Sequence, residues 1–242
     1  MIRELKNSFR PEGYQLSVTI LPNVNSTLYL DVVATSNNID FLNLAVFDVQ
    51  TPERNKKEVD YPAPLYTPSE RNPELNIDFQ VSNLIKEGFP ANKIVVGIPT
   101  FGRVWEIEEG STQTGVPPFE GHGPGPEGIQ TKQQGLLSYP EICLKLTNPQ
   151  NKDLKGENGP IRKVGDPTKR YGSYGYRLPD SDGKFGLWVG YEDPDTAGNK
   201  AAYVRAKSLG GVAIFDLTLD DFRGACSGDK FPILRSARNR LV

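Results

Sequence analysis

With 242 residues the chain is long enough to bury a substantial core, and its 28 Lys+Arg against 30 Asp+Glu leave a formal net charge of −2. That balance, with no basic run to track phosphates, gives no reason to expect a nucleic-acid partner. The apolar runs fall far short of a membrane span, so no membrane insertion is expected.

In chain order, residues 2–9 predict a helix entering a first strand over 14–21 (YQLSVTIL). A second strand is expected over 39–49 (IDFLNLAVFDV) and a third over 93–100 (KIVVGIPT). Between them, residues 75–88 place Phe79, Leu84 and Ile85 on one helical face and stop at Gly88. Residues 196–208 have the same character, with Ala201, Ala202, Val204 and Ala206. A fourth strand follows over 211–217 (GVAIFDL), and residues 231–242 predict a closing helix. The strands are short, apolar and β-branched, as fully covered parallel strands are. Alternation of strand and helix predicts an α/β architecture with a parallel sheet.

Residues 102–195 break the pattern. They are rich in Gly, Pro and Tyr, with short runs such as Gly186-Leu-Trp-Val-Gly-Tyr191, and are too long for a crossover loop. They predict a small α+β subdomain inserted between the third strand and its helix, with Trp188 and Tyr191 in its own core. The remaining 1–101 and 196–242 supply four strands of a (β/α)8 barrel, which needs eight. The expected fold is therefore a partial barrel of the TIM type that begins in mid-fold.

Cys143 and Cys226 are the only cysteines, and on residue type alone they are either buried thiols or a bridge. No ligand cluster surrounds them, and the single His122 sits in a glycine-rich loop, so no metal is expected. The prolines of Gly121-His-Gly-Pro-Gly-Pro-Glu-Gly128 remove N–H donors that a phosphate cradle would need. Asp180-Ser-Asp-Gly183 predicts a turn rather than a calcium loop. Asn25-Ser26-Thr27 is an acceptor sequon for glycosylation. The start, Met1-Ile-Arg-Glu-Leu-Lys, shows no apolar signal segment, and read literally the chain would stay in the cytoplasm.

Several blocks carry a resemblance. They are Asn43-Leu-Ala-Val-Phe-Asp48, Gly97-Ile-Pro-Thr-Phe-Gly-Arg103, Gly135-Leu-Leu-Ser-Tyr-Pro-Glu-Ile-Cys143, Trp188-Val-Gly-Tyr-Glu-Asp193 and Val212-Ala-Ile-Phe-Asp-Leu-Thr-Leu-Asp-Asp-Phe-Arg-Gly224. In order and spacing they resemble the family 18 glycoside hydrolases, the chitinases and their inactive relatives. More narrowly, Thr51-Pro-Glu-Arg-Asn55, Asp60-Tyr-Pro-Ala-Pro64 and residues 171–195 resemble the imaginal disc growth factors, secreted chitinase-like insect proteins.

The resemblance implies a sugar cleft at the carboxyl ends of the strands, built from Phe47, Asp48, Phe101, Arg103, Trp105 and Phe215. It implies that Cys143 and Cys226 form a disulfide clamping the insertion to the end of the barrel. It also implies a lost chemistry. The family's Asp-x-x-Asp-x-Asp-x-Glu motif, whose Glu is the general acid, has no copy in this sequence, and a positioned acid is worth ~10²–10⁴-fold in rate. Phe47 and Phe101 stand where active members carry Tyr, Phe215 where they carry Trp, and Thr218 where they carry Asp. Asp220 and Asp221 are expected to organise the turn into Arg223 rather than to catalyse. The resemblance thus implies a non-catalytic, extracellular protein without a cofactor. Its expected partners are a chitin-like glycan or a cell-surface receptor, together with self-association through open half-barrel edges. A chitin-hydrolysing glycosidase and a truncated product without independent function are the alternatives.

Overall fold

The computed structural model describes residues 1–22, 30–68, 70–108 and 120–242. The elements before the insertion are α1 (Ile2–Phe9), β1 (Ser17–Ile20), α2 (Val32–Ser36), β2 (Phe41–Leu44), α3 (Ile77–Lys86) and β3 (Ile94–Pro99). Next come β4 (Phe101–Ile107), β5 (Gly123–Pro124), β6 (Leu136–Ser138), α4 (Tyr139–Cys143), β7 (Arg162–Val164), β8 (Ser173–Arg177) and β9 (Gly186–Tyr191). The chain closes with α5 (Pro194–Ala206), β10 (Gly211–Phe215) and α6 (Pro232–Leu241).

The four expected strands pair in the order β1-β2-β3-β10, every pair parallel. Helices in the connections carry the chain back between them, as parallel pairing requires. Leu42, Leu44, Ile94, Val96 and Ile98 are almost wholly buried against helices α3, α5 and α6. Their neighbours Phe41, Asn43 and Val95 are only half-buried, and Phe215 is exposed. One face of the sheet is covered and the other is open. Among the described residues the sheet does not close on itself, since β1 and β10 each pair along one edge only.

The strands are shorter than the sequence suggests. The second ends at Leu44: Ala45 donates the last bond to β1, at Ile20 O, and Val49 donates to Pro62 O, outside the sheet. At the first, Tyr14 bonds back to Phe9 and its ring is exposed, so the strand starts only at Ser17. The buried face of α3 also differs from expectation. Ile77, Val81 and Leu84 face the core, while Phe79 and Ile85 are exposed; Leu84 alone of the expected trio packs inward.

Helices α5 and α6 approach closely through Ala197, Ala201 and Ala237, all fully buried. A Cβ on Gly198 would lie 2.9 Å from Ser236 Oγ, so this crossing needs a glycine. Asp193 caps α5 in a capping box with Thr196, followed by Pro194 in the first turn. Helix α6 borrows its cap: Asp220 accepts N–H bonds from Ile233 and Leu234 at 3.4 and 3.1 Å.

The segment after β3 forms a second sheet, antiparallel, in the order β5-β4-β9-β8-β7 with β6 also on β4. Trp105 and Trp188 meet edge to face at 5.4 Å at its centre. Tyr61, from the segment between β2 and α3, packs on Trp188, Tyr171 and Tyr174 and ties the two sheets together. Among the described residues no helix is long and apolar enough to cross a membrane.

Candidate functional site

The carboxyl ends of β2, β3 and β10 and the start of β4 bring three phenylalanines together. Phe47 and Phe215 stack with ring centroids 5.2 Å apart and planes 24° apart. Phe101 meets Phe47 edge-on at 6.0 Å and 88°. Such contacts add about 0.5–1.5 kcal/mol each beyond area burial. Gly97 makes the stack feasible, because a Cβ there would lie 2.9 Å from Phe47 Cε1. Phe215 is 54% exposed, whereas Phe101 is 4% exposed. Phe215 therefore presents a ring to solvent, and Phe101 backs the cluster from within.

Beside the rings lies an ion pair. Arg103 Nε and Nη2 donate to the two carboxylate oxygens of Asp48, each at 2.7 Å. Asp48 has φ +58°, a left-handed conformation that a short Asp tolerates. Arg54 donates to its carbonyl and holds that turn. Burial works against the Arg103 charge, but the Asp48 carboxylate bonded to it, with Glu53 at 3.9 Å, keeps the guanidinium above its ordinary range. The guanidinium carbon also lies 5.4 Å from the Phe101 ring centre. Phe47, Asp48, Phe101, Arg103 and Phe215 are thus one contiguous cluster.

Trp105 does not join it. Its indole is fully buried and donates Nε1–H to Asn55 O at 2.8 Å. It sits two residues beyond Arg103, so strand alternation keeps both on one face of β4. The distance along the strand carries Trp105 past the cleft into the core of the second sheet. The expectation that it lines the cleft is corrected.

Sequence reading missed the loop that sets the position of Phe215. Asp216 accepts N–H bonds from Thr218 and Leu219 and the Thr218 hydroxyl. Thr100 donates Oγ–H to Asp216 O and N–H to Phe215 O. Gln130 donates its amide to Thr218 O at 2.6 Å. The Asp-x-Thr spacing at 216–218 is a turn signature and could have signalled this; Gln130 leaves no such trace. Asp221 accepts from the N–H groups of Ala225 and Cys226, so it organises the turn as expected.

Cys143 and Cys226 form a disulfide with Cα atoms 5.9 Å apart, joining the end of α4 to the loop after β10. His122 is exposed and lies 3.1 Å from Glu108. Among the described residues no cluster of His, Cys, Asp and Glu could hold a metal. Asp180 accepts from the N–H groups of Asp182 and Lys184, closing a turn. Asn25 lies outside the described residues.

Residues 1–220 match the family model described as glycosyl hydrolases family 18. Two chitinase-like proteins Idgf4 are each 56% identical. That of Glossina morsitans morsitans aligns with 98% of this chain and 54% of its own length, and that of Drosophila melanogaster with 100% and 55%. The chain therefore spans about half the length of these curated relatives. A mutant of Ostrinia furnacalis group II chitinase catalytic domain 2, solved with the chito-oligosaccharide (NAG)5, superposes with a TM-score of 0.83. It is 30% identical, over 99% of this chain and 58% of that one.

Proposed function

The chain belongs to glycosyl hydrolase family 18, and from that premise we propose that it binds a chitin-like glycan without hydrolysing it. The observation that carries the reading is the half-exposed ring of Phe215, stacked on Phe47 beside the Asp48–Arg103 pair. Sugar sites combine aromatic walls with a few fixed polar anchors, and this cluster has both. The similarity to a chitinase solved with (NAG)5, and to relatives named chitinase-like, supports the same reading.

The non-catalytic part rests on side chains. Phe47 and Phe101 put hydrocarbon where a hydroxyl donor would stabilise developing charge, and Asp48 is engaged by Arg103 on both oxygens. Release of fluorophore from a labelled chito-oligosaccharide tests it. Turnover no greater than a heat-killed control is expected, and turnover above that control would overturn the proposal.

In this reading the parallel sheet is part of a (β/α)8 barrel to which residues 1–101 and 196–242 supply four strands, with 102–195 as the inserted subdomain. The likeness to imaginal disc growth factors supports secretion, glycosylation at Asn25, and a growth-promoting role through a cell-surface receptor. Recovery from insect-cell medium, with a mass that falls on glycosidase treatment, tests the first two. The open edges of β1 and β10 support self-association, which sedimentation of the purified chain would reveal.

A further inference from the structure

A cavity of about 320 Å³ lies between the second sheet and helices α5 and α6. Its lining carries five cations, Lys163, Lys169, Arg170, Lys200 and Arg240, against three carboxylates. The buried charges among them are already matched. Lys163 pairs with Asp193 at 2.7 Å, and Lys200 pairs with Glu192 beneath the floor. Burial alone would raise the Asp193 carboxyl, but Lys163, Thr196 and Ser173 hold it below its ordinary value. Asp166 is occupied by the N–H groups of Thr168, Arg170 and Tyr171 and by the Thr168 hydroxyl.

Those bonds fix the turn that carries Lys169 and Arg170 to the rim. The Arg170 guanidinium is further held over the Tyr66 ring at 4.6 Å. Among the described residues, Lys169, Arg170 and Arg240 form no ion pair with a carboxylate, and Asp195 is the acidic group left on the lining. A cationic excess thus faces a hollow of mixed polar and apolar lining in a chain whose net charge is −2. Tyr171 and Asn199 add a ring and an amide to the same wall.

We infer that this cavity binds a saccharide bearing a sulfate or phosphate group, with Lys169, Arg170 and Arg240 contacting the anion. The volume falls in the range of small-ligand sites, and charge-assisted bonds to such an anion are about twice as strong as neutral ones. A nucleic acid or a membrane surface would instead need an extended basic face, which composition does not provide. This inference does not depend on the Phe215 cluster.

The test is a calorimetric titration of the full chain with a sulfated disaccharide, its desulfated counterpart and the matching sugar phosphate. The first and third arms separate the two anion sources. Saturable binding of at least one anionic sugar is expected, weakened by added salt and absent for the desulfated sugar. Lys169→Gln together with Arg240→Gln should weaken it at least about tenfold. Lys152→Gln, an exposed cation elsewhere, should leave it unchanged, and both variants should melt like the parent. No binding of either anionic sugar, equal binding of the desulfated one, or equal affinity in the double variant would overturn the inference.

Discussion

The Phe47 ring lies almost parallel to the Phe215 ring at 5.2 Å, and Gly97 beneath it leaves no space for even a methyl group. The exposed ring of the site is therefore positioned by a backbone atom on the neighbouring strand. Gly97→Ala should push Phe47 off its rotamer and tilt the Phe215 platform. The expected result is a loss of about 1–3 kcal/mol in stability by denaturant titration, accompanied by weaker glycan binding.

Asp48→Asn should keep the shape of the site but remove the charge that matches Arg103. Because Arg103 is largely buried, the expected cost is about 2 kcal/mol, read as a lowered melting temperature. A variant as stable as the parent would show that the pair is dispensable.

Asp60 gives the chain a specific pH dependence. Burial raises its carboxyl to about 6 despite the nearby Arg71 guanidinium, so the folded state holds a proton that the unfolded state releases earlier. Its contribution to stability is full below the ordinary carboxylate pKa and is lost as pH rises through about 6. The stability of the parent minus that of Asp60→Asn should therefore fall by roughly 2–3 kcal/mol between pH ~4 and ~7. A difference that stays flat, or rises, would contradict this assignment.

The disulfide between Cys143 and Cys226 closes a separation of 83 residues. Constraint of the unfolded chain over such a loop is worth about 4.5 kcal/mol in the loop-entropy model. Replacing both cysteines by Ser should lower the denaturation midpoint accordingly, with the loop after β10 loosening first. Hydrogen exchange at Ala225 and Cys226, whose N–H groups bond Asp221, reads that loosening directly.

The parallel strands were legible as short, apolar, β-branched runs bounded by turn residues. Their open face was not, since runs expected to be covered on both sides leave Phe41, Asn43 and Val95 only half-buried. Nor were the loops beyond them, since Asp48 is held by Arg103 and the Asp216 carbonyl by Thr100, partners distant in sequence. Phe47, Asp48, Arg103 and Phe215 could be located through their place in quoted motifs. Trp105 could not, because nothing in a strand's own sequence tells whether its far end enters a cleft or a core. The buried face of α3 was misjudged for a related reason: Phe79 and Ile85 are apolar, yet the sheet touches the turn that carries Ile77, Val81 and Leu84.

Titration of the chain with (NAG)5, with the parent and Phe215→Ala side by side, tests the central claim most directly. The parent should bind saturably without cleaving the sugar. Phe215→Ala should lose at least about tenfold in affinity while still melting cooperatively, its stability lowered only by the lost stack on Phe47. Absence of binding by the parent, or equal affinity in the two proteins, would contradict it.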